Sequence, residues 1–111
     1  MIFDRAYIAT PICMASRASM MTGVFPQQHG AVALDTASFR KHVVEEKRNP
    51  TLPQLLQAGG YDTAFCGKSH LGPPRDYGFR YGEENRNWND DDTFVDAQEF
   101  LGGREKDGAP F

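Results

Sequence analysis

Thr10-Pro11-Ile12-Cys13-Met14-Ala15-Ser16-Arg17-Ala18-Ser19-Met20-Met21-Thr22-Gly23 contains both the clearest helix of the chain and its best candidate nucleophile. Thr10-Pro11 breaks whatever precedes it. From Ala15 to Thr22 the Ala, Ser, Arg and Met residues favour helix, with no breaker before Gly23. Cys13 and Met14 therefore stand at the start of that helix. A thiol at a helix N-terminus meets the positive end of the dipole, which favours negative charge on it or beside it. Arg17 lies one turn further along the same face, and its guanidinium can hold an anionic group by two hydrogen bonds. A nucleophile acting on an anionic ester suits that pair. A lone Cys-x-x-x-Arg is also common by chance, and core packing is the competing reading.

Working outward, Phe3 to Ile8 alternates loosely with aromatic and β-branched members and predicts a short strand. Phe25 to Gly30 predicts a turn, and residues 31–50 a polar loop. Thr51 is a candidate N-cap with Pro53 near the start of a helix that presents Leu52, Leu55 and Leu56 on one face, and Gly59-Gly60 stops it. Tyr61 to Cys66 predicts a buried strand ending at Gly67. Strand, helix, helix, strand is the rhythm of an α/β fold with a parallel sheet, in which sites gather at the carboxyl ends of strands. Residues 72–92, rich in Gly, Pro, Asn and Asp, predict loop. Phe94, Ala97 and Leu101 then recur at helical spacing up to Gly102-Gly103. Asp90-Asp91-Asp92 invites a metal reading, but acidic residues opening a helix more often face its dipole as caps.

Composition narrows the classes. With 111 residues, 40% hydrophobic and 24% charged, the chain has the content of a soluble globular domain able to bury a modest core. A net charge of −3, with both signs interspersed, gives no electrostatic reason for a nucleic-acid or anionic-membrane partner. No apolar stretch is long enough to span a bilayer. Met1-Ile2-Phe3-Asp4-Arg5 places charges where a signal peptide needs an apolar run, so an export signal is expected upstream of this chain or not at all. Two cysteines, Cys13 and Cys66, make neither a disulfide scaffold nor a zinc cluster, and Cys66 reads as a small buried apolar residue. His29 reads as a turn residue bonded to backbone, and His42 as a surface residue.

The stretch around Cys13, taken with Ala6-Tyr7 before it and Phe25-Pro26-Gln27-Gln28-His29-Gly30 after it, resembles the signature of the type I sulfatases. That signature is Cys-x-(Pro/Ala)-x-Arg, then a helix, Thr-Gly and a Pro-x-x-His-Gly turn. A second block follows in order. Thr51 to Leu56 and Gly60-Tyr61-Asp62-Thr63-Ala64 lead into Gly67-Lys68-Ser69-His70-Leu71-Gly72, which resembles the family's Gly-Lys-x-His-Leu-Gly segment. The resemblance covers roughly residues 3–72, and residues 1–111 are read as part of a sulfatase catalytic domain. Its parts are a signature region at 10–30, the Gly-Lys-x-His segment at 67–72, and an acidic loop and helix at 83–103.

The resemblance implies an alkaline-phosphatase-like α/β domain with a mainly parallel sheet flanked by helices. It implies that Cys13 is oxidised to formylglycine, an aldehyde whose hydrate attacks the sulfur of a sulfate ester and then expels sulfate. An unmodified thiol has no second oxygen for that last step. Arg17 matches the arginine that neutralises and orients the formylglycine, Lys68 the lysine that binds sulfate oxygens, and His70 the histidine that holds the hydrate. Implied partners are a sulfate ester and a formylglycine-generating or sulfatase-maturating enzyme. The implied compartment is periplasmic, secreted or lysosomal. The family's calcium is implied too, with formylglycine at position 13 as one ligand and its aspartate and asparagine or histidine ligands outside this chain. On that ground the 111 residues alone are expected to be inactive, since a hard cation requires carboxylate oxygens. Ala15 departs from the proline most members carry. Two alternatives remain: a phosphonate monoester or phosphodiester hydrolase using the same machinery, and a non-catalytic homologue in which Cys13 stays a thiol.

Overall fold

The pattern of helix signals is largely realised in the computed structural model, which describes residues 2–82, 90–104 and 108–111. Helix α1 spans Cys13–Thr22 and ends on Gly23 in the left-handed region, whose N–H returns to the Ser19 carbonyl. A single turn, α2, covers Pro26–His29. Next come α3, Thr36–Phe39, and a π-helical continuation, Arg40–Glu45. Helix α4 covers Leu52–Ala58, a 3₁₀ turn covers Pro74–Tyr77, and α5 covers Asp90–Gly102.

One sequence expectation is corrected here, and a second is not shown. Residues 31–50 are not simply a loop. Asp35 caps α3 by accepting the Ala37 N–H at 3.0 Å, and Phe39 and Val43, one turn apart, are both buried. The parallel sheet is not shown among the described residues. Residues 3–8 run as exposed irregular backbone, and Tyr61–Cys66 contributes one isolated parallel bridge, Ala64 to Tyr81. Strands need neighbours to take up their N–H and C=O groups, and residues 3–8 pair with no strand among the described residues. The acidic loop at 83–89 lies outside the described residues, and α5 begins with the three aspartates in its first turn.

The core gathers around α1 and the aromatic residues beyond it. Met14, Ala18, Phe39, Val43, Leu71 and Tyr77 are each at most 3% exposed. The Phe39 and Tyr77 rings meet edge to face at 5.6 Å between centroids, and Tyr77 meets Phe79 likewise at 5.7 Å. Thr51 stands at the expected N-cap of α4. Its N–H is taken by the Gln54 side chain, while its hydroxyl donates to the Tyr77 carbonyl at 2.5 Å and so ties α4 to the core. Asp62 accepts from both Arg80 and Arg104, and the Asp62 N–H bonds the Pro110 carbonyl, so the last residues are drawn onto this frame. The radius of gyration, 14.8 Å, exceeds the about 13 Å of a compact domain near this length, as the exposed apolar segments require.

Candidate active site

Helix α1 and the 67–72 loop meet at the residues singled out in the sequence. Cys13, the first residue of α1, is exposed, and its Sγ lies 3.2 Å from Nδ1 of His70, 57 positions away in sequence. Arg17 sits one turn further along the helix. Its guanidinium donates to the Lys68 carbonyl at 2.7 Å, a charge-assisted bond that fastens the loop to the helix. Arg17 thereby lines two clefts. One, of about 420 Å³, it shares with Cys13, Ser16, Ile8 and Pro11. The other, of about 390 Å³, it shares with Lys68, Gly67, Cys66, Asp90 and Thr93. Cys13 and His70 are thus in contact, Lys68 is placed across Arg17 from them, and all four predicted site residues belong to one region.

The loop's shape is set by its backbone. Gly67 has φ +94°, and a Cβ there would press on the Thr93 side chain of α5 at 3.3 Å. His70 has φ +61°, in the left-handed region that residues with a Cβ rarely enter. Beneath it Ser69, 1% exposed, has its hydroxyl 3.1 Å from the Leu71 N–H, 3.0 Å from the Gly72 carbonyl and 2.6 Å from the Tyr77 hydroxyl. The sequence reading passed over Ser69 and Tyr77. A polar residue inside the motif followed by a tyrosine eight positions on was the only signal.

His29 behaves as the turn reading requires. Fully buried, it accepts the Ala31 N–H on Nδ1 at 3.1 Å, so its proton sits on Nε2, 3.0 Å from the Ser19 hydroxyl. Burial holds its pKa below the ordinary value of 6.5. His42 is not simply a surface residue. Its ring packs against Gly30, whose φ of +80° and missing Cβ make room for it, and its Nδ1 lies 3.0 Å from Glu46. Cys66 is half-buried beside Leu56, Phe79 and Phe100, and burial, with Asp96 nearby, pushes its thiol pKa up.

The described residues around Cys13 do not by themselves make a calcium site. No cluster of at least three His, Cys, Asp or Glu side chains occurs among the described residues, and the groups described beside Cys13 are the His70 imidazole and, one turn along the helix, the Arg17 guanidinium. Calcium takes about six to eight oxygens. What the arrangement offers chemically is an exposed thiol at the start of α1 with the Arg17 guanidinium one turn away, and Lys68 on the neighbouring cleft. No described helix is long and apolar enough to cross a membrane.

A model of the sulfatase family matches residues 1–108. Among curated proteins, the arylsulfatase of Clostridium perfringens is 36% identical over 73 residues, covering 66% of this chain and 14% of its own length. The N-sulphoglucosamine sulphohydrolase of Homo sapiens is 34% identical over 87 residues, covering 77% of this chain and 17% of its own length. An uncharacterized sulfatase of Escherichia coli is 31% identical over 99 residues, covering 89% and 18%. The chain thus spans between 14% and 18% of these relatives. No solved structure matches at a significant level.

Proposed function

The chain belongs to the sulfatase family, and from that premise we propose that it supplies the nucleophile and part of the anion-binding wall of an enzyme that hydrolyses sulfate monoesters. The observation that carries this reading is the approach of Cys13 to His70 at 3.2 Å, with Arg17 bonded to the Lys68 carbonyl beside them. Two sequence blocks with no local reason to meet converge on one nucleophile.

In this reading a formylglycine-generating enzyme oxidises Cys13 to formylglycine, whose hydrate has one hydroxyl to attack sulfur and a second that loses its proton to re-form the aldehyde, breaking the C–O bond to the first oxygen and expelling sulfate. His70 holds a hydrogen bond to the side chain at position 13 and orients it. Arg17, pinned by the Lys68 carbonyl, keeps a fixed positive charge one turn from position 13, and Lys68 adds a second on the neighbouring cleft. Charge fixed in place before reaction stabilises a developing anion without reorganisation. Of the four candidate site residues, the converted side chain at position 13 is the one that would contact the family's divalent cation, and none of the roles given to Arg17, Lys68 and His70 depends on that ion.

The test is expression of the full-length protein with a formylglycine-generating enzyme, followed by peptide mass spectrometry at Cys13 and assay on an aryl sulfate and the matching aryl phosphonate. Conversion of the thiol, with sulfate turnover that disappears in Cys13→Ala, is the expected result. An unchanged thiol in every peptide would sink this reading in favour of a non-catalytic homologue. Faster turnover of the phosphonate would reassign the substrate class.

A further inference from the structure

We propose that Ser69, backed by Tyr77, is the positioning residue that holds His70 against Cys13; this rests on the reading of the site given above. The motif Gly67-Lys68-Ser69-His70-Leu71-Gly72 specifies chemistry at Lys68 and His70 and leaves position 69 open. Yet Ser69 and Tyr77 are both 1% exposed, and the serine hydroxyl uses all of its bonding capacity. It has one proton and two lone pairs. The proton goes to the Gly72 carbonyl at 3.0 Å, and one lone pair takes the Leu71 N–H at 3.1 Å. The other takes the Tyr77 O–H at 2.6 Å.

The first two bonds close the backbone across residue 70. The third anchors that closure to the core, because Tyr77 is wedged edge-on between Phe39 and Phe79 and its carbonyl receives the Thr51 hydroxyl. The consequence is visible at His70. Its φ of +61° is a conformation that a residue with a Cβ keeps only when its surroundings impose it, and this conformation delivers Nδ1 to 3.2 Å from Cys13. Ser69 touches neither the nucleophile nor the clefts beside it. It acts through His70.

The geometry can be tested without turnover. In the full-length protein with an unmodified thiol, the rate at which iodoacetamide alkylates Cys13, followed by peptide mass spectrometry so that Cys66 is counted separately, should change severalfold in His70→Ala. Ser69→Ala and Tyr77→Phe should move the rate in the same direction, and Ser69→Ala should add nothing on top of His70→Ala. Tyr77→Phe keeps the ring contacts and serves if Ser69→Ala does not fold. In the formylglycine-bearing enzyme, Ser69→Ala should lower kcat by about tenfold or more, within the range a displaced catalytic group carries, with KM little changed. Unchanged alkylation in His70→Ala, or in both Ser69→Ala and Tyr77→Phe, would overturn the proposal. So would an effect of Ser69→Ala that persists in full on the His70→Ala background, the mark of a merely structural role. Alkylation as expected in a protein that turns over no sulfate ester would leave the positioning role standing and remove the proposed function.

Discussion

Helices α1 and α5 announce themselves in the sequence by similar means and end in different situations. Each has apolar residues at helical spacing before a glycine stop. In α1, Met14, Ala15 and Ala18 are at most 1% exposed. In α5 no residue is buried, and Phe94 is 62% and Leu101 51% exposed. The reason is the company each keeps. Helix α1 packs against α2 and α4, with Phe39 and Tyr77 in the same core. Helix α5 is held mainly along one edge, where Phe100 meets Tyr81 and Phe111 and where Thr93 abuts Gly67. An apolar stripe therefore specifies that a helix forms, whereas burial depends on a surface to receive it. Of the four candidate site residues, Cys13 and Arg17 sit on the packed helix, where neighbours fix their positions, and Lys68 and His70 lie on the loop that meets it.

Four measurements can break or sharpen this comparison. The largest effect is expected at the site. Lys68→Ala in the formylglycine-bearing full-length enzyme should lower kcat/KM by about 10²-fold or more, as loss of a preorganised charge does elsewhere. An equal loss from Thr93→Ala, on the α5 side of the same cleft, would erase the functional distinction between the two helices.

Next is the core that α1 shares. Phe39→Ala removes a fully buried ring in edge contact with Tyr77, and it should cost about 3–5 kcal/mol of stability in urea or thermal unfolding. A value near zero would mean that this core does not hold α1.

A smaller effect is expected from pH. The fold keeps His29 neutral and depresses its pKa, so between its ordinary 6.5 and its folded value the unfolded chain binds the extra proton. The contribution is fully present above 6.5 and is lost as pH falls through that window. The urea midpoint should therefore drop on acidification below about pH 6.5. His29→Asn, which can still accept the Ala31 N–H, should flatten that slope. Persistence of the same slope in His29→Asn would place the acid sensitivity elsewhere.

The smallest effect belongs to α5. Phe94→Ala, at a largely exposed position, should change the stability of this chain by no more than about 0.5 kcal/mol. A loss comparable to that of Phe39→Ala would show that α5 has a packing partner in solution.

Much of the candidate site was legible in the sequence. Cys13, Arg17, Lys68 and His70 were picked out by two motifs, and the structure brings Cys13 to His70 and Arg17 to the Lys68 backbone. Their individual catalytic roles rest on resemblance and remain for the tests above. The helices at Cys13–Thr22, Leu52–Ala58 and Asp90–Gly102 were also readable, because Pro, Gly and helical spacing act over a few residues. The helical turns between Thr36 and Glu45 were missed because one apolar pair, Phe39 and Val43, is a faint pattern amid polar neighbours.

The sequence by itself determined the helices at Cys13–Thr22, Leu52–Ala58 and Asp90–Gly102, since these depend on residue types at short spacing, and it singled out Cys13, Arg17, Lys68 and His70 as candidates through two motif blocks. Only the tertiary structure decided that the Thr51 hydroxyl donates to the Tyr77 carbonyl, that His42 packs on Gly30, and that Ser69 and Tyr77 support His70 in a left-handed conformation. It also decided that the extended segments at 3–8 and 61–66 carry no sheet here beyond the bridge from Ala64 to Tyr81. The physical reason is common to all of these. A hydroxyl, a ring or a strand edge is satisfied by whichever group stands opposite it, and that group is chosen by contacts far along the chain.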